Sequence, residues 1–116
     1  MSISYQGIGE WCATFGCGAV KEGEIVKVSA SGMVAKCAAG DGFCGVVAAM
    51  GRDGKACSVQ LGGIATVNYS GENAPIPGYG KLSADAAGGV SVDASKGREY
   101  LILAADSTVK TVTIKL

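Results

Sequence analysis

GEIVKVSASGMVAKCAAGDGFCGVVAAMGRDGKACSVQL (Gly23–Leu61) and GYGKLSADAAGGVSVDASKGREYLILAADSTVKTVTIKL (Gly78–Leu116) read as two copies of one pattern. Lys27-Val28-Ser29-Ala30 corresponds to Lys81-Leu82-Ser83-Ala84, Gly42 to Gly97, Val46-Val47 to Leu101-Ile102, and Val59-Gln60-Leu61 to Ile114-Lys115-Leu116. The displacement is 54 residues at Lys27 and 55 at Leu61, so only loop-sized shifts separate the copies. The closing segments also agree in phase. Cys57, Val59 and Leu61 alternate with Ser58 and Gln60, and Val112, Ile114 and Leu116 alternate with Thr113 and Lys115. Side chains alternate faces along a strand, so each copy buries one face of this segment and wets the other. Phe43–Met50 and Glu99–Ala105 are apolar on both faces, as an inner strand would be.

Working outward, short runs rich in valine, isoleucine and threonine recur between glycine turns over the whole chain. The predicted strands are Glu10–Phe15, Glu24–Ser29, Met33–Ala38, Phe43–Met50, Ala56–Leu61, Ile64–Tyr69, Tyr79–Ser83, Gly89–Asp93, Glu99–Ala105 and Val109–Leu116. Asp53-Gly54 suits a type I′ hairpin. The best candidate for a helical turn is Ser83–Ala87, which its Gly88-Gly89 exit keeps short. Pro75-Ile76-Pro77-Gly78 reads as an extended connector, because proline fixes φ and donates nothing to a ladder. The expected fold is all-β. It is a small β-barrel or β-sandwich built from two tandem repeats packed about a pseudo-twofold axis, in a single domain, 1–116. Residues 1–22 form an N-terminal arm or strand without a counterpart, 23–61 the first repeat, 62–77 a connecting strand and linker, and 78–116 the second repeat.

Composition narrows the function classes. The 116 residues carry ten basic and ten acidic side chains, 19 glycines and two prolines, and 48% are apolar. A neutral chain has no basic excess to neutralise phosphates, so nucleic acid is not an expected partner. No apolar run approaches the roughly 18 residues of a membrane-spanning helix, so no membrane partner is expected either. Alanine and glycine make a thin core, which favours assembly with copies of itself or with a larger scaffold. Met1–Gly7 lacks a basic region and a long apolar stretch, so the expectation is synthesis in a cytoplasm with cysteines reduced.

The residues that carry chemistry are sparse. Histidine is absent, which removes Ser-His-Asp and Cys-His pairs and histidine metal sites. Of Cys12, Cys17, Cys37, Cys44 and Cys57, only the first two approach zinc-ligand spacing, and the rest sit in strand patterns as small apolar side chains. Gly7-Ile8-Gly9 and Gly16-Cys17-Gly18 each begin a G-x-G, but Cys12 and Lys21 stand where a third glycine is required. Asp41, Asp53, Asp85 and Asp93 fall at turns, where aspartate accepts backbone N–H groups. The expectation is therefore no catalytic residue, no metal and no cofactor. Ile3, Tyr5 and Trp11, in the unrepeated arm, are the candidate partner contacts, since such side chains anchor interfaces. Ordinary core packing is the competing role for Tyr5 and Trp11.

The stretch Gly23–Val47, with Ser58-Val59-Gln60-Leu61-Gly62-Gly63-Ile64-Ala65-Thr66-Val67 and a weaker second copy from Gly78, resembles small capsid decoration proteins of tailed bacteriophages and prophages. These are also called cement or head-stabilisation proteins. The resemblance implies a non-enzymatic role on the outer surface of the capsid, with the major capsid protein as partner and self-association, often as a trimer. It supplies no catalytic residues, and the cysteine-containing arm departs from the family's pattern. A free-standing β-barrel module binding a glycan, a peptide or another structural protein is the alternative.

Overall fold

The computed structural model describes residues 11–116, and within them there is no helix. Ten strands follow in order: β1 (Trp11–Cys17), β2 (Ile25–Ala30), β3 (Met33–Lys36), β4 (Gly45–Met50), β5 (Ala56–Gly62), β6 (Ile64–Asn68), β7 (Gly78–Ala84), β8 (Val90–Val92), β9 (Arg98–Asp106) and β10 (Thr111–Lys115). The all-β expectation holds. Ser83–Ala87, expected to turn helically, is instead the end of β7 and a bend that Asp85 ties together, accepting hydrogen bonds from the Ala87 and Gly89 amides.

Strands β1 to β5 close into a barrel in the order β1-β3-β2-β4-β5, and β6 to β10 form a second sheet in the order β6-β10-β9-β7-β8. The two orders describe one connection pattern, and the registers correspond as well. Ile25 faces Val46 as Tyr79 faces Leu101, Val47 faces Val59 as Ile102 faces Ile114, and Phe15 faces Cys57 as Val67 faces Val112. Two sequence expectations change accordingly: the lack of a counterpart for the first strand, and the place of the joint. Residues 11–17, within the expected arm or strand, form a strand that closes the barrel, antiparallel to β5 and parallel to β3. Their counterpart is β6, which pairs antiparallel with β10 and meets β8 through a parallel bridge, Tyr69 to Val90. The two sheets meet at Gly63, between consecutive strands, rather than in the proline-containing connector. Glu10, placed in the first strand by pattern, lies outside the described residues.

Turn chemistry also differs at one corner. Asp53 does not adopt the positive φ that a type I′ turn demands of both central residues, and only Gly54 does, at +70°. The Gly54 N–H donates to the Gly51 carbonyl, so Arg52 and Asp53 are the central pair, and Gly54 supplies the left-handed step that returns the chain to β5.

Two cores follow from the alternation of side chains. Cys17, Val20, Val26, Val34, Val47, Cys57 and Val59 fill the barrel. The second core gathers Ala65, Val67, Leu82, Val90, Ile102, Val112 and Ile114 with four residues of the first half: Ile25, Cys37, Phe43 and Val46. The adjacent apolar pairs Ile25-Val26 and Val46-Val47 thus split, one member into the barrel and one into the junction. Phe43 stacks on Tyr100 with ring centroids 4.9 Å apart, and the Tyr100 hydroxyl donates to the Phe43 carbonyl at 3.2 Å. Loop bonds stitch the same seam. The Ile25 N–H donates to the Gly88 carbonyl, Gly40 N–H to Ala84, and Ala84 N–H to Asp41.

Candidate binding surface

The turn aspartates are tied into the backbone. Each turn aspartate is held by the backbone of its own corner. Asp41 accepts from the Ala38 amide at 2.9 Å and from the Lys27 ammonium at 2.6 Å. Asp53 accepts from the Lys55 amide, and Asp106 from the Thr108 amide. Asp85 takes the Ser70 hydroxyl at 2.8 Å in addition to its two amides. Asp93 accepts from the Lys96 and Ser95 amides and from the Ser83 hydroxyl. The Lys27 ammonium holds the Asp41 carboxyl below its ordinary range, and the Lys96 amide with the Ser83 hydroxyl does the same for Asp93. A general acid needs the opposite shift.

Most of the thiols are withdrawn from the surface. Cys17, Cys37 and Cys57 are buried, Cys44 is half-buried and Cys12 is exposed. Burial pushes the Cys37 thiol up to about 11 and raises Cys44. Burial, with the neighbouring Cys17 thiol, raises Cys57. A thiol held protonated is a poor nucleophile and a poor metal ligand. Among the described residues, no three His, Cys, Asp or Glu side chains gather as a metal site would require. A neutral-pH alkylating reagent should therefore label Cys12 in the folded chain much faster than Cys37 or Cys57, and label all five once urea unfolds it. Peptide mapping after timed iodoacetamide treatment reads this out, and equal labelling of Cys57 would contradict the burial.

The exposed apolar side chains lie elsewhere. Trp11 is 66% exposed at the start of β1, its ring lying over Gly62 of β5, where a Cβ would come within 3.2 Å of the indole. Ile3 and Tyr5, the other two candidate contacts, lie outside the described residues. A cleft of about 590 Å³ opens between the connector and the first residues of β7. Ile76, Tyr79, Val92 and Ile102 give it apolar walls, with Glu72 and Lys81 among its polar lining. Tyr79 is 74% exposed. The cleft exists because β8 is short. It pairs with β7 only from Leu82 to Ala84, so the edge of Gly78–Gly80 on that side carries no strand among the described residues. Lys81 turns its carbonyl to that side, toward the Asp93 amide, and Tyr79, two residues earlier, turns its own N–H and C=O the same way.

Sequence reasoning missed this cleft. Two signals pointed to it. Ile76 is an apolar residue stranded between two prolines, and Tyr79 stands where the first copy has the fully buried Ile25. No protein-family model, curated protein or solved structure matches the chain.

Proposed function

We propose that the chain is a non-enzymatic structural protein that binds the outside of a phage capsid and stabilises the shell, with the major capsid protein as its partner. The disposition of the turn aspartates and of Cys37, Cys44 and Cys57 supports the non-enzymatic part: the aspartates are held by their own corners, and burial raises those three thiols. The resemblance of Gly23–Val67 to decoration proteins supports the capsid as the surface bound. Many copies on a repeating lattice multiply modest contacts, and binding only the mature shell stabilises it by mass action. No cofactor, nucleic acid or membrane enters this reading. The chain is made in the bacterial cytoplasm and ends on the virion surface.

Trp11 is the contact that the described residues favour, because a large exposed aromatic on a closed barrel costs little to order and buries much. The test is a density gradient of particles from an induced lysate. The chain should migrate with full heads at a copy number comparable to the shell protein. Trp11→Ala should weaken head binding about 30-fold while leaving the melting curve in place. Well-formed heads that lack the chain would overturn the reading. The alternative, a free binding module for a glycan, peptide or other structural protein, is favoured by the cleft beside Tyr79. It predicts free chain in that lysate.

A further inference from the structure

The two halves differ at a corresponding corner. In each, a residue at or just past the end of a strand donates its N–H to a lysine carbonyl at 3.0 Å: Cys17 to Lys55 in the barrel, Tyr69 to Lys110 in the second sheet. Each also meets another strand through a parallel pairing, Cys17 with Val34 and Tyr69 with Val90. In the second sheet the corner is filled by the buried Tyr69 ring, in one core with Val112. In the barrel the same two places hold Cys17 and Cys57, in one core and buried, at 6% and 2% exposure. The β1–β5 ladder pairs Phe15 with Cys57 and Gly16 with Ala56. Cys17 and Cys57 therefore stand on the same inner face, one step to either side of the Gly16–Ala56 pair. Burial, and then a hydrogen bond between the two thiols, holds Cys57 protonated. The Cys17 thiol also lies 3.9 Å from the Gly54 carbonyl, under the β4–β5 turn.

We propose that Cys17 and Cys57 form a redox lock: in oxidising surroundings they join as a disulfide that ties the first strand of the barrel to the last. Thiols already in contact need only side-chain rotation to reach bonding distance, and the concave inner face of a closed barrel draws them together. The loop so closed runs from β1 to β5 and contains β2, β3 and β4, so one bond makes the whole barrel closure covalent. A reducing compartment keeps both thiols free. A peroxide supplies the oxidant, and its small size suits a buried site. The Cys17 sulfur, the nearer to the surface, attacks one peroxide oxygen. The O–O bond breaks, and the departing hydroxide takes up the thiol proton as water, leaving a sulfenic acid. The Cys57 sulfur then attacks the Cys17 sulfur, the S–O bond breaks, and the second hydroxide leaves as water with the Cys57 proton. The two thiols give up two electrons and the peroxide gains them. Protonated, buried thiols make the reaction slow, on a scale of hours rather than seconds. The lock goes beyond capsid binding and does not depend on it.

The purified chain carrying Cys12→Ser, which removes the exposed thiol, tests the inference without any capsid. The folded chain is held with hydrogen peroxide for several hours, and catalase stops the reaction. Iodoacetamide in urea blocks the remaining thiols, and tryptic peptides are mapped. Conversion of the exposed Met33 to its sulfoxide shows that the peroxide acted. The expected result is a linked pair of peptides carrying Cys17 and Cys57, with Cys37 and Cys44 unlinked. The urea midpoint should rise by about 1 M and fall back when dithiothreitol is added. Cys57→Val in the same background installs the residue that the second sheet has in that place, Val112, and should give neither the link nor the rise. Cys17→Ala serves as the second variant should Cys57→Val disturb the fold by circular dichroism. A chain in which Met33 is oxidised while Cys17 and Cys57 still take iodoacetamide overturns the inference. So does a rise in midpoint that survives Cys57→Val, or a link that leaves the midpoint unchanged.

Discussion

Phe43→Ala is expected to destabilise the protein by about 3–5 kcal/mol, out of a total that for a small domain is about 5–15 kcal/mol. The ring is 3% exposed and stacks nearly parallel, at 8°, on Tyr100. Phe43 belongs to the first half by sequence and to the second core by packing, so its loss falls on the joint itself. The Phe43 carbonyl is the acceptor for the buried Tyr100 hydroxyl, and a backbone shift at residue 43 would leave that hydroxyl unpaired. Urea unfolding should therefore show a lower midpoint and, with the halves uncoupled, a broadened or two-step transition. An unchanged midpoint would mean that the stack does not couple the halves.

Gly45→Ala should be at least as damaging. A Cβ on Gly45 would meet the Gln60 carbonyl oxygen of the neighbouring strand in overlap and stand 2.8 Å from a Val59 methyl. Neither can retreat, since Gln60 is strand backbone paired with Val46 and Val59 is fully buried in the barrel. Overpacking ordinarily costs about 1–3 kcal/mol. A clash with backbone exceeds that range, so the expected result is little folded protein at 37 °C. Gly18→Ala is the control. A Cβ there meets nothing within 4 Å, and the midpoint should hold or rise slightly. Equal behaviour of the two variants would refute the close approach of β4 and β5.

The strands were legible because this chain writes its alternation plainly. Each predicted strand overlaps an observed one, and the matched pairs Val47/Ile102 and Val59/Ile114 carried the register of both inner ladders. The partner of β1 was not legible. Ala13 and Ala65 occupy equivalent places opposite Val59 and Ile114, but around them Cys12-Ala13-Thr14-Phe15 and Ile64-Ala65-Thr66-Val67 share too few distinctive letters. The two-faced apolar run Val46-Val47 was visible, yet its reason was not. It reads as an inner strand, and β4 is one, but its outer face is spent on the junction with the second core. The cleft escaped for a related cause. It arises from β8 being shorter than the edge it covers, and strand ends are set by tertiary pairing rather than by local pattern.

The closure of the first barrel by its earliest described strand has a consequence during synthesis. β1 pairs along its length with β5, so a nascent chain leaving the ribosome cannot seal that barrel until Gly62 has emerged. The Ile25 amide waits longer, for Gly88. Until then the first half presents unsealed strand edges to neighbouring nascent chains, its own unfinished copies on the same message among them. Slow codons after residue 62 would prolong that exposure, and fast translation through the second half shortens it.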